Sequence, residues 1–327
     1  LMYNRPEQIL EQYDLTVNAI SKGRESYLCD TSQGAKLLRE YRGSKERAGF
    51  LAQMTKFLKE QGLNVPAVME TKEESPIAVD EDETKYILTD LLNGAECDTK
   101  RRDDMMEAVR LLARLHNLSE GYPDEIPEFV KEDPGMLLEL YQKHNRELRK
   151  VKNYVHAKKK KNEFEMLFMG QYAQFMQKAE EVTDLLSKIE PQEYMVGFCH
   201  GDYNQHNVLF KKQDGAIVHF DSFSYRVRMS DLANFLRKMM EKNNWNTGLG
   251  MDMIQAYHRE RPLTEQELKY LYLYLAYPEK FWKIANRYYN SHKAWLSGRN
   301  IEKLEKVIAQ EGVREQFLKM LFCFTTC

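Results

Sequence analysis

Apolar and polar positions change their period several times along the chain, and each change marks an element. Glu25 to Asp30 and Ala35 to Tyr41 read as short strands around Thr31-Ser32-Gln33-Gly34, whose composition predicts a hairpin turn. Lys45 to Gln61 switches to helical spacing, with Phe50, Met54, Phe57 and Leu58 on one stripe and Gly62 as the stop. Tyr86-Ile87-Leu88-Thr89-Asp90-Leu91-Leu92 is an apolar strand that runs into Asn93-Gly94. Beyond it, Met106, Val109, Leu112, Ala113 and His116 share one helical face, which makes His116 a core histidine. Val208-Leu209-Phe210 and Ala216-Ile217-Val218-His219-Phe220 are apolar runs on either side of Lys211-Lys212-Gln213-Asp214-Gly215. The Asp214-Gly215 pair predicts the turn of a second hairpin.

The candidate chemistry sits at the ends of that hairpin. His200-Gly201-Asp202-Tyr203-Asn204-Gln205-His206-Asn207 precedes the first run, and Asp221 follows the second, fourteen positions past Asn207. The spacing matches the H-x-D-x-x-x-x-N catalytic loop and the metal-binding aspartate of kinase-like phosphotransferases. In that chemistry Asp202 accepts the proton of an attacking hydroxyl, while Asn207 and Asp221 hold the Mg²⁺ that bridges the phosphates of ATP. One aspartate must stay free for the acceptor and the other must stay on metal, so two segments joined by a short hairpin supply them. The three side chains are expected to converge on one cleft. His200 is expected to orient the loop by hydrogen bonding, and Asp231, in Ser230-Asp231-Leu232-Ala233, to brace it at the start of a helix. His206 has no evident chemical task.

The loop, the hairpin and Asp221 resemble the aminoglycoside phosphotransferase and choline kinase branch of the protein-kinase-like fold. Within that branch the chain is similar to the CotS family of spore-coat proteins, from about residue 9 to residue 320. The closer match is carried by Leu38-Arg39-Glu40-Tyr41-Arg42-Gly43-Ser44, Leu112-Ala113-Arg114-Leu115-His116 and Pro278-Glu279-Lys280-Phe281-Trp282-Lys283-Ile284-Ala285-Asn286. Tyr288-Tyr289-Asn290-Ser291 and Arg299-Asn300-Ile301-Glu302-Lys303-Leu304 extend it. The resemblance implies an α+β, two-lobed kinase-like fold. Residues 1–90 are expected to form a small β-rich lobe, and 91–327 a large, mainly helical lobe with a helical insertion at about 122–190. It also implies a mother-cell protein that ends in the spore coat, with other coat proteins as partners.

The small lobe departs from an active kinase. Near Ser21-Lys22-Gly23-Arg24 only Gly23 offers flexibility, and there is no glycine-rich loop. Aligned on Tyr41-Arg42-Gly43-Ser44, the phosphate-clasping position falls on Arg39, with Ala35 and Leu37 on the same strand face and Lys36 on the other. Arginine clasps phosphate bidentately but does not interchange with lysine at a tight site. From Phe50 to Phe57 the helix has no carboxylate, and Glu46 lies near its start. Only nine residues separate Asp221 from Asp231, too few for a regulated activation segment. Arg226 and Arg228, within that interval, either face an anionic acceptor or pair with neighbouring carboxylates.

Composition narrows the partners. A formal charge of −2 makes no case for nucleic acid or membrane as a partner, and no apolar run reaches the ~20 residues that span a bilayer. Cys29, Cys97, Cys199, Cys323 and Cys327 are odd in number and scattered, without C-x-x-C pairs, which argues against a zinc site and a disulfide framework and favours a reducing compartment. Arg149 to Lys161 is a basic run, expected to be a solvated helix face or a mobile insertion. Tyr270, Tyr272, Tyr274, Tyr277, Phe281, Trp282, Tyr288, Tyr289 and Trp295 are expected to build mostly large-lobe core. Two functions compete. One is ATP–Mg²⁺-dependent phosphotransfer to a small hydroxylated molecule or coat glycan. The other is a catalytically impaired scaffold of the coat.

Overall fold

The computed structural model describes residues 5–23, 25–212, 214–290 and 298–325. Helix α1 (Arg5–Leu10) leads into strands β1 (Val17–Lys22), β2 (Ser26–Thr31) and β3 (Gly34–Glu40), then α2 (Lys45–Glu60). Strands β4 (Val68–Met69), β5 (Ala78–Val79), β6 (Lys85–Asp90) and β7 (Ala95–Glu96) precede α3 (Arg102–Glu120). Two long helices follow, α4 (Met136–Ala157) and α5 (Glu163–Leu186). After them come β8 (Val196–Cys199), β9 (Val208–Lys211), β10 (Asp214–Ile217) and β11 (Ser224–Val227). The described chain closes with α6 (Met229–Lys242), α7 (Thr247–Glu260), α8 (Glu265–Ala276), α9 (Glu279–Asn290) and α10 (Gly298–Thr325). The result is the mixed architecture expected, an antiparallel sheet early in the chain and helices late.

Two compact units emerge, Leu1–Lys131 with Phe198–Tyr225, and Glu132–Gly197 with Arg226–Cys327. Hydrogen bonds tie the β9–β10 hairpin to earlier segments of the first unit. The Ile217 amide donates to the Asn64 carbonyl at 3.0 Å, and the Cys97 amide to the Val208 carbonyl at 2.9 Å.

In the first unit the sheet runs β1-β2-β3-β6-β4, with β5 also on β6. Thr31 pairs with Gly34, so Ser32-Gln33 is the turn of the first hairpin, as expected. One sheet face packs Leu38, Tyr86 and Leu88 with Ile9, Leu10 and Tyr13 of the α1 region. Ser44 caps α2 by accepting the Arg47 amide at 3.2 Å, and Phe50, Met54 and Leu58 of the stripe are buried. Phe57, the fourth residue of that stripe, is half-buried and meets Tyr122 edge-on at 5.6 Å. Met106, Val109, Leu112, Ala113 and His116 of α3 are all buried, so His116 lies in the core.

The second hairpin corrects one expectation. Lys211 pairs with Asp214 and Phe210 with Gly215, so Asp214-Gly215 stands inside β10 and does not form the turn. Lys212, just after β9, has a left-handed φ of 58°, and Gln213 lies outside the described residues. Gly215 answers a packing demand instead. A Cβ there would meet Leu111 Cδ1 at 2.3 Å.

The second unit has its own core, in which Leu148, Val151, Phe164, Phe168, Phe175 and Phe281 are buried together. Tyr270 and Tyr277 are buried too, and Tyr277 stacks on Tyr141 at 3.8 Å. Trp295 and Ser291 lie outside the described residues. The basic run begins on α4 and continues as the α4–α5 link, where Lys158 pairs with the buried Glu165 at 2.5 Å. Glu165 also closes the capping box of α5 with Asn162. Arg226 pairs with Glu132 at 3.4 Å and lies 3.8 Å from Asp231. Arg228 donates to the Tyr194 carbonyl at 2.8 Å. No described helix is long and apolar enough to cross a membrane.

Candidate nucleotide cleft

Strand β8 delivers the loop at His200, which is fully buried. Its Nε2 meets the Val218 carbonyl at 2.8 Å, and its Nδ1 faces the Asp202 amide at 3.2 Å. A carbonyl only accepts and an amide only donates, so the ring carries its proton on Nε2 and is neutral. The imidazole therefore joins the two halves of the site. Gly201 has a φ of +86°, and a Cβ there would lie 1.8 Å from the Ser222 carbonyl oxygen. No other residue fits. Tyr203 pins the loop to α3 through its hydroxyl, which donates to the Ala108 carbonyl at 2.6 Å.

These anchors present Asp202 at the surface. Its main-chain carbonyl accepts from Asn204 Nδ2 at 2.9 Å and from Asn207 Nδ2 at 2.8 Å. Asn207 Nδ2 also lies 3.5 Å from Asp202 Oδ2, so the amide of Asn207 is turned towards Asp202 and its oxygen is left for another partner. His206, the residue without a task, pairs with Glu96 at 2.6 Å. Asp231 belongs to the second unit, where it is fully buried at the start of α6.

The two candidate cations on β3 separate cleanly. Lys36 stands directly opposite Asp90 in the β3–β6 register and donates to its carboxylate at 2.7 Å. Lys59, at 2.6 Å, and the Ala67 amide, at 3.1 Å, complete the set around Asp90. Despite the cost of burial, the two lysine hydrogen bonds and the Ala67 amide hold the Asp90 carboxyl below its usual range. Arg39 faces the other way, and its Nη1 lies 2.5 Å from Asp221 Oδ1.

Arg39 also lines two adjoining cavities. One, of about 680 Å³, is walled by polar groups that include Lys22, Tyr41, Arg42, Arg47 and Asp221. The other, about 70 Å³, is an apolar slot between Leu37, Val68, Leu91, Leu209 and Phe220. The first lies within the range of roughly 300–1,000 Å³ typical of small-molecule sites.

Glu46, near the start of α2, does not reach for Arg39. Its carboxyl turns back on its own amide and on Ser44 at the cap of α2, which holds it below its usual range. Sequence reading missed Arg47, which donates to the Phe223 carbonyl and lies over the Phe223 ring at 4.2 Å. Its place in the first turn of α2, three residues after the capping Ser44, was the available signal. It also passed over His219, which adopts a left-handed backbone with φ 62° and ψ 60°.

The donor set fits Mg²⁺ poorly. That ion asks for hard oxygen ligands, one or two of them carboxylates. Asn207 offers an amide oxygen, but the Asp221 carboxylate already balances Arg39. The residue at the end of the second hairpin arm is His219, whose imidazole suits softer metals.

With this geometry in view, comparison with known proteins settles the family. The model of the spore-coat family described as "Spore coat putative kinase YutH" matches residues 6–321. The chain belongs to that family. It is similar to spore coat protein S of Bacillus subtilis (strain 168), 24% identical, with 96% of this chain and 93% of the relative covered. In fold it is similar to an aminoglycoside phosphotransferase from Alicyclobacillus acidocaldarius, with a TM-score of 0.85, 20% identity, and 98% and 96% of the two chains covered. A spectinomycin phosphotransferase solved with ADP and spectinomycin gives a TM-score of 0.63 at 14% identity, covering 95% and 97%. An amicoumacin kinase solved with AMP-PNP and Ca²⁺ gives 0.62 at 13%, covering 96% and 93%. The kinase-like fold and the spore-coat family expected from the motifs are both found.

Proposed function

We propose that this protein serves the spore coat as a nucleotide-binding component of kinase fold whose phosphoryl-transfer chemistry is impaired. The observation that carries this reading is the placement of Arg39. It lines a polar cavity large enough for a nucleotide and reaches Asp221 there, in a wall that also holds Lys22, Arg42 and Arg47. Guanidinium groups match phosphate oxygens bidentately, so the wall suits a polyphosphate. In this reading the ligand is ATP or a related nucleotide. The protein is made in the mother-cell cytoplasm, and coat proteins are its macromolecular partners.

A second reading has one observation in its favour. The loop around Asp202 keeps the hydrogen bonds that aim a general base, with Asn204 and Asn207 on its carbonyl and His200 on its amide. On that ground the protein transfers phosphate to a small hydroxylated molecule or a coat glycan, with Asp202 accepting the hydroxyl proton.

A thermal-shift titration with ATP, followed by mass spectrometry of candidate acceptors, separates the two. Ligand at a hundredfold excess over its dissociation constant should stabilise the fold by about 2.7 kcal/mol. A shift without product supports the proposal. A phosphorylated product that disappears in Asp202→Asn favours the second reading, and no shift at millimolar ATP contradicts both.

A further inference from the structure

We propose that this cleft takes up the polyphosphate of a nucleotide without a divalent metal, its arginines supplying the positive charge that Mg²⁺ would bring. The inference rests on the nucleotide reading above and goes further, to the form of the ligand that is bound.

The first argument is positional. In kinases the metal-binding aspartate is followed at once by a phenylalanine whose packing fixes the state of the site. Here the packed residue is Phe220, which is buried and lies 4.7 Å from the His200 ring and 6.2 Å from Phe198. The residue just before it is His219. Its backbone is left-handed, with φ 62°, a conformation uncommon outside glycine but one that histidine, like asparagine and aspartate, adopts more readily than most side chains. Asp221 comes one residue after Phe220, within the short turn Phe220–Ser222, and its carboxylate points at Arg39. By this register an imidazole stands where the metal carboxylate belongs.

The second argument is charge. The polar cavity is walled by Lys22, Arg39, Arg42 and Arg47 against Glu25, Glu40 and Asp221. A cavity with four cations and three carboxylates has no surplus of negative charge to attract Mg²⁺, whereas it suits an incoming polyanion. Arg39 is already held at the cleft with a carboxylate as its partner. A phosphate oxygen offers the same planar guanidinium an equivalent acceptor. Arg47 is fixed beside it by the Phe223 carbonyl and ring.

The test is thermal shift and equilibrium dialysis of the full chain with ATP, and with inorganic tripolyphosphate, in EDTA and in MgCl₂. Wild type should bind ATP in EDTA at least as tightly as in MgCl₂, within about twofold, and should also bind tripolyphosphate in EDTA. His219→Asp restores a carboxylate before Phe220. It should bind ATP at least about tenfold more tightly in MgCl₂ than in EDTA. ATP binding by wild type that requires MgCl₂, and is lost in Asp221→Asn, would overturn the metal-free proposal while leaving the nucleotide reading intact. No ATP binding in either buffer would overturn both. The wild-type comparison stands whether or not His219→Asp folds.

Discussion

Arg39 Nη1 lies 2.5 Å from Asp221 Oδ1, joining a strand of the early sheet to the segment that follows the β9–β10 hairpin. Lys36, three residues earlier on the same strand, faces the opposite side and is spent on Asp90. The period of two along β3 separates them: one side chain belongs to the cleft and the other to the frame that carries it.

This separation predicts opposite phenotypes. Arg39→Ala should weaken ATP binding by at least about tenfold with little loss of stability, and Arg39→Lys should retain much of the affinity. Lys36→Ala should leave affinity nearly unchanged but cost about 1–3 kcal/mol, since the mostly buried Asp90 carboxylate loses one of its two cations. Equilibrium dialysis and denaturant midpoints measure the two effects. The reverse pattern would show that Lys36 is the clasp.

Gly215 should be replaceable only together with its neighbour. An added Cβ collides with Leu111 Cδ1 at 2.3 Å, so Gly215→Ala should destabilise the protein by about 1–3 kcal/mol. In a Leu111→Ala background the same change should cost markedly less, because the two sites are in contact. Equal costs in both backgrounds, read from urea midpoints, would contradict this account of the glycine.

His144 should make the protein sensitive to acid. The ring is buried and stacks on Trp282 at 3.3 Å, and its Nδ1 lies 3.7 Å from the Glu279 carboxylate, too far for a hydrogen bond. Burial, aided by the cations Lys143 and Arg237, pushes its pKa down from 6.5 to about 4. The unfolded chain therefore binds this proton first as pH falls, and the folded state loses stability between about pH 6.5 and pH 4. The full loss is on the order of 3 kcal/mol. His144→Gln should flatten this part of the stability profile, measured by urea unfolding across that range. An unchanged slope in the variant would contradict the assignment.

Much of this was legible in the sequence, for local reasons. Alternation gave β2 and β3 within a residue at each end, and helical spacing gave α2 and α3. The opposite facing of Arg39 and Lys36 follows from strand geometry alone. The errors are non-local. Asp214-Gly215 carries the sequence of a hairpin turn, yet its glycine packs against Leu111, on a helix more than a hundred residues earlier. Arg47 acquires its place from Phe223, 176 residues away. The packing of Phe220 and the left-handed backbone of His219, next to Asp221, become visible only once the strand end is folded. The missing helix partner of Arg39 was legible: Glu46 lies too early in α2, and its first-turn carboxylate is drawn to the cap of its own helix.

The measurement closest to the central claim is equilibrium dialysis of labelled ATP against the full chain and against Arg39→Ala. Saturable binding by wild type, weakened at least about tenfold in Arg39→Ala, is the predicted result. Either no saturable binding at millimolar ATP, or equal affinity in the two proteins, would contradict it.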